Sequence, residues 1–198
     1  MPSWIRAYVR IVTAVNYRVG RFAMYLIFVM MGVLLWSSIS KTFFMPSLWT
    51  LEIAQFTMVA YYLLGGPYSM QLGGHVRMDL VYGSWSITTK AWVDAFTIMA
   101  LIFYLGVLFY GGVSSAAYSL GYFGGEPFTF FKDLIVGFLT GGPAGVADVT
   151  GFLERNTGPW RPVMWPIKLI ATTGIFLMLL QAIAVFFQDI AKIRGEDI

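Results

Sequence analysis

Four stretches of this chain carry no charged residue over a length that can cross a lipid bilayer: residues 22–39, 53–72, the first two-thirds of 95–125, and 169–188. A hydrocarbon core of about 30 Å needs roughly 20 helical residues. The stretches are continuously apolar, whereas the strands of a membrane barrel alternate apolar and polar residues over about ten positions. A helix also satisfies its backbone polar groups internally, as hydrocarbon demands. The expectation is an all-α integral membrane protein with four transmembrane helices. Composition agrees, with 58% hydrophobic and only 12% charged residues among 198 and a mean hydropathy of +0.72, beyond the balance of a soluble domain.

Tryptophan placement supports these limits, because an indole prefers the headgroup level, where its ring is buried and its N–H stays wet. Trp36 closes the first stretch, Trp49 precedes the second, Trp85 and Trp92 the third, Trp160 and Trp165 the fourth. Trp4 belongs to a different feature. At about 100° per residue, Arg6, Arg10, Arg18 and Arg21 gather on one side of a helix over residues 1–21, and Trp4, Ile5, Tyr8, Ile11, Val12, Val15 and Val19 fill the other. That pattern predicts an interfacial amphipathic helix, arginines to lipid phosphate and indole to acyl chains, leading directly into the first span. A soluble amphipathic helix docked on a partner is the other reading. The first apolar run is too long for a signal peptide, and Trp36 adjoins its only small-residue stretch, so the helix is expected to stay in the mature protein.

Lysine and arginine counts orient the chain. With the N-terminus inside, the cytoplasmic side holds Arg6, Arg10, Arg18, Arg21, Arg77, Lys90, Lys192 and Arg194; the other holds Lys41, Lys132, Arg155, Arg161 and Lys168. The excess predicts both termini in the cytoplasm. Residues 22–112 then comprise spans one to three with a cytoplasmic loop at 73–90, residues 113–166 a periplasmic loop, and residues 167–198 the fourth span and a cytoplasmic tail. The long loop is rich in Gly and Pro, and its one apolar stretch, 134–147, is too short to span and is interrupted by Gly141, Gly142 and Pro143. A helix on the membrane surface and a re-entrant piece packed on a partner both fit it. "GGP" occurs at 65–67 and again at 141–143, but unlike flanks argue against the repeated halves of many carriers.

The stretch "QLGGHVRMDLVYG" at 71–83 holds the sole histidine beside an arginine and an aspartate. One histidine cannot supply both axial ligands of a bis-histidine haem, and the absence of cysteine excludes thiolate clusters and disulfides. No nucleophile is paired with a base. The chain is therefore expected to be no enzyme, with no catalytic, cofactor or metal site and no nucleic-acid partner. Gly73 and Gly74 can end the second helix in the left-handed conformation, leaving His75, Arg77 and Asp79 at the membrane boundary for lipid or partner contacts. Arg77 and Asp79 are two apart and do not face each other on a helix. Glu52, Asp94 and Asp189 each fall within about a turn of a predicted helix end, where water is expected to reach them. The bundle shows no evident ion path of the kind carriers and pumps retain.

"LWTLEIAQF" at 48–56 is similar to the "W-T-E-E" start of the second helix in the small membrane subunit, DctQ type, of tripartite ATP-independent periplasmic (TRAP) transporters. "GGHVRMD" at 73–79 resembles that family's most recognisable motif, in the family's position after the second of four helices. Leu51 stands where the family motif has its first acid, so only Glu52 carries over. The long loop and "PWRPVMWPIK" at 159–168 resemble a longer variant of these subunits. The resemblance implies a scaffold for a large, DctM-type membrane subunit that carries an organic acid or related solute with sodium, fed by a periplasmic solute-binding protein. It marks Trp49, Glu52, Gly73, Gly74, His75, Arg77 and Asp79 as partner or membrane-interface residues, with no cofactor. Two other classes fit the residues: the membrane anchor of another complex, and a self-sufficient oligomeric channel lined by Gln55, Thr57 and Gln181.

Overall fold

A computed structural model describes residues 2–73 and 87–194. Among them lie five helices: α1 (Ser3–Phe43), α2 (Thr50–Gln71), α3 (Ile87–Ser119), α4 (Pro127–Val149) and α5 (Trp165–Arg194). No strand forms among the described residues; an antiparallel bridge joins Arg155 and Val163.

Among the described residues, three helices are long and apolar enough to cross a membrane: α1, residues Trp92–Ser119 of α3, and α5. The expected second span forms α2, whose 22 residues reach about 33 Å. It falls outside that set, since it carries Glu52, Gln55, Gln71 and an internal Gly65-Gly66-Pro67. Its lower apolarity has a structural reason: α2 is packed between α1 and α5, so less of it needs to match lipid.

The surface helix expected at residues 1–21 is not a separate element. α1 runs unbroken for 41 residues, about 60 Å. The segment carries no proline after Pro2, and its first half buries Ile5, Val9, Val12 and Asn16. These pack against α5 around Ala184, with Leu180 and Phe187 beside them. The apolar face thus divides between protein and surroundings: Ile5 and Val12 are covered, while Trp4 and Ile11 remain exposed.

α5 is the axis of the bundle, in contact with α1, α2 and α3. Its Gly174 lies against the backbone of Leu63, and its Met178 against Gly66, so α2 runs parallel to it. Thr172 meets Gly112 of α3, and Lys168 reaches the carbonyl of Ser115, so α3 runs antiparallel. Small residues at these crossings let the backbones approach closely, the main route to association where lipid supplies no hydrophobic drive.

The apolar stretch of the long loop lies in α4. Gly142 takes φ +59°, and the helix folds back there so that the backbones of Gly137 and Gly145 touch. A side chain at 142 would be strained in that conformation. The first "GGP" behaves differently, with Pro67 buried inside continuous α2. From α4, residues 150–164 return as a strap stitched to the end of α3, Gly151 N–H to Leu120 C=O at 3.0 Å and Glu154 N–H to Ser119 C=O at 3.1 Å.

Candidate functional site

Two polar centres lie inside the apolar bundle, one at each end of α2. At its N-terminal end, α1 turns into α2 through a cluster of hydroxyls. Ser40 Oγ donates to Met45 O at 2.7 Å, Thr50 Oγ1 donates to Ser37 Oγ at 3.2 Å, and Ser47 Oγ lies 3.0 Å from Thr50 Oγ1. Trp49 is the N-cap residue, in helical conformation and without a side-chain cap. One turn on, Glu52 is 2% exposed. Its Oε1 lies so close to Gly158 of the strap that a Cβ there would overlap it, and its Oε2 is buried without a hydrogen-bond partner among the described residues. The expectation that water reaches Glu52 is therefore overturned, because the strap covers the helix end. A carboxylate in the first turn also meets the positive end of the helix dipole.

At the other end of α2, three helices share one amide cluster. Asn16 Nδ2 of α1 donates to Gln181 Oε1 of α5 at 2.8 Å and reaches Leu177 O at 3.4 Å. Gln71 Nε2 of α2 donates to the same Gln181 oxygen and to Thr13 O, each at 3.1 Å. Gln181 is fully enclosed within the chain, Gln55 lies on the surface and Thr57 Oγ1 donates to Ile53 O at 2.8 Å. The three residues a shared pore would use do not converge.

Immediately beyond the cluster, α2 ends at Gln71, and Gly73 adopts φ +65° with its N–H donating to Met70 O at 3.2 Å. Gly74, His75, Arg77 and Asp79 lie outside the described residues. Arg6, Arg10, Arg18 and Arg21 are on the exposed side of α1. Arg21 donates to Tyr17 Oη at 3.3 Å and stands 5.7 Å from the same ring's centroid.

Asp189 departs from expectation as Glu52 does: it is 3% exposed and paired with Lys192 at 2.9 Å. Asn16 and Gln71 were not singled out by sequence, because a lone amide in an apolar pattern resembles any surface position. Their partner is far away in the chain. The Lys168–Glu154 ion pair, which ties the strap to the start of α5, was equally invisible.

Residues 30–192 match the family model described as "Tripartite ATP-independent periplasmic transporters, DctQ component". The match includes Trp49, Glu52, Gln71, the whole "GGHVRMD" motif and Gln181. No curated protein and no solved structure matches the chain.

Proposed function

The chain belongs to the DctQ components of the tripartite ATP-independent periplasmic transporters, and on that premise we propose that it braces the large membrane subunit of a sodium-coupled carrier for an organic acid or related solute. Membership makes it the small subunit of such a transporter and a transport component, not an enzyme. The scaffold role, the sodium, the solute class and the two partners, a DctM-type large subunit and a periplasmic solute-binding protein, are parts of the proposal.

The observation that carries it is the use made of polar side chains inside the bundle. Asn16 and Gln71 each donate to the one Gln181 oxygen, a junction of three helices, which fixes the helices against each other. Large apolar residues such as Phe22, Phe28, Leu35 and Leu51 are left outside, a surface suited to lipid and to another membrane protein. α2 would also cross the membrane, as the second of four spans, with both termini cytoplasmic, Arg6, Arg10, Arg18 and Arg21 at lipid phosphate, and His75, Arg77 and Asp79 at the cytoplasmic rim in contact with the large subunit or with lipid. The host membrane is then the bacterial inner membrane.

Deleting the subunit while retaining the other two components tests this reading. Cellular uptake of the solute is expected to cease, and solute binding by the purified periplasmic protein to stay as it was. Continued uptake at the normal rate would overturn the scaffold role.

A further inference from the structure

An apolar groove of about 300 Å³ lies between α3, α4 and α5, lined chiefly by Phe109, Val113, Phe128, Phe131, Leu169 and Phe176. Two threonines complete the lining, and both hydroxyls are committed to their own helix: Thr172 Oγ1 donates to Lys168 O and Thr173 Oγ1 to Leu169 O, each at 2.8 Å. An anionic solute would find no free donor there. Left unfilled, the phenyl rings would lose their dispersion contacts on one side.

The surroundings point to hydrocarbon with an anionic end. Along α5 the groove runs from Leu169, one turn after Trp165 and next to Lys168, down to Phe176, so it reaches from the headgroup boundary to acyl-chain depth in the leaflet on that side. On α4, the same helix leaves Ile135, Val136, Phe138 and Leu139 exposed beyond it, continuing the apolar surface. Lys132 is exposed and stands one turn after Phe128 on the same face, while the neighbouring Asp133, also exposed, lies about 100° further round the helix. Lys168 is occupied by Glu154, whereas Lys132 makes no ion pair among the described residues.

We propose that the groove is a lipid site: one acyl chain of an anionic phospholipid lies among Phe109, Phe128, Phe131 and Phe176, and Lys132 takes the headgroup phosphate. The chain would fill the gap between the α4 hairpin and the bundle and hold the hairpin in place. No part of this depends on the transported solute or on the direction in which the chain is inserted.

The test uses the full chain reconstituted in vesicles of phosphatidylethanolamine and phosphatidylglycerol with a tracer phosphatidylglycerol bearing a diazirine in mid-chain. After irradiation, label is expected on the peptides containing Phe128, Phe131 and residues 169–176. Thr173→Phe, which plugs the open side, should lower that label about tenfold, because losing the burial of about two methylenes already changes occupancy by that factor. Label on the exposed face of α1, around Phe28 and Leu35, should not change and serves as the internal reference. Lys132→Gln, a surface change that spares the fold, should remove the preference for tracer phosphatidylglycerol over tracer phosphatidylcholine in the groove. Groove label no denser than on α1 and indifferent to Thr173→Phe would mean ordinary lipid contact and overturn the site. Loss of the groove label when the large subunit is assembled with the chain would assign the groove to a protein contact and overturn it equally. An unchanged headgroup preference in Lys132→Gln would overturn the phosphate assignment.

Discussion

Asn16 and Gln181, 165 positions apart in the chain, meet in a buried hydrogen bond of 2.8 Å beside the C-terminal end of α2. Gln71 approaches the same Gln181 oxygen from a third helix at 3.1 Å, so one carbonyl oxygen holds α1, α2 and α5 in register. Gln181→Leu removes the acceptor that both amides share, leaving Asn16 Nδ2 its 3.4 Å contact with Leu177 O and half-buried Gln71 Nε2 its bond to Thr13 O, and is expected to cost about 1–3 kcal/mol for the two bonds lost. Asn16→Ala and Gln71→Ala should each cost about 1 kcal/mol, nearer the values found for bonds between membrane helices. Reversible unfolding of the subunit in mixed micelles measures these differences. A double-mutant cycle of Asn16→Ala with Gln181→Ala should show coupling of about 0.5–1 kcal/mol; additive effects would mean that the bond contributes nothing.

How much of this was legible in the sequence depended on the range of the interaction. Continuous apolar runs and bracketing tryptophans located the helices, because matching to hydrocarbon is a property of each segment alone. Gly73 was legible as a helix stop for the same reason: its φ of +65° is a local backbone requirement. Asn16 was not, since nothing near it in sequence reveals that position 181 supplies its partner. Glu52 and Asp189 were read by distance from a helix end, which measures depth in the bilayer but not cover by protein. The strap over Glu52 comes from residues more than a hundred positions later. The N-terminal arginine pattern does not say whether the apolar side meets lipid or α5, and Ile5, Val9 and Val12 meet α5. "GGP" shows the same limit, forming a fold-back in α4 and a buried segment of continuous helix in α2.

Gly158→Ala tests the cover over Glu52. A Cβ at this position would overlap Oε1 of Glu52, so either the carboxylate or the strap must move, at an expected cost of about 1–3 kcal/mol. In a Glu52→Ala background the added cost should fall toward zero, because the overlapping group is gone. Thermal unfolding of the four proteins closes the cycle. An equal cost of Gly158→Ala with and without Glu52 would show that the strap does not rest on the carboxylate.

Topology can be read from single cysteines, since the chain has none of its own. Thr157 is exposed on the strap beside Gly158. With both termini cytoplasmic, a cysteine at Thr157 should react with an impermeant thiol reagent in intact cells, and one at Ser3 only after the cells are opened. The reverse pattern would invert the orientation proposed from the Lys and Arg distribution.

Arg77 is proposed to contact the large subunit. Arg77→Ala should lower recovery of the assembled complex, and Arg77→Lys should restore only part of it, because an ammonium keeps the charge but loses the planar fork that grips a carboxylate at two points. A role confined to lipid phosphate would let lysine serve as well as arginine. Co-purification of the large subunit with each variant decides, and full recovery with lysine would remove the partner contact.

The most demanding prediction separates bracing from ion coupling. A residue that takes part in coupling must change its interactions when sodium binds, so neutralising it shifts the sodium concentration at which transport is half-maximal. A residue that only braces changes how much complex forms and leaves that concentration alone. Glu52 is enclosed by the strap of its own chain, and at the other end of α2 Asn16 and Gln71 both donate to Gln181, so each centre is closed within the chain itself. Glu52→Gln and Asp79→Asn are therefore expected to lower the yield of assembled transporter while the surviving complexes keep the wild-type sodium dependence. Uptake by reconstituted complex, normalised to the amount assembled and measured as sodium is varied, supplies both quantities. A shifted sodium dependence in fully assembled Asp79→Asn would place this subunit within the coupling machinery and end the scaffold reading.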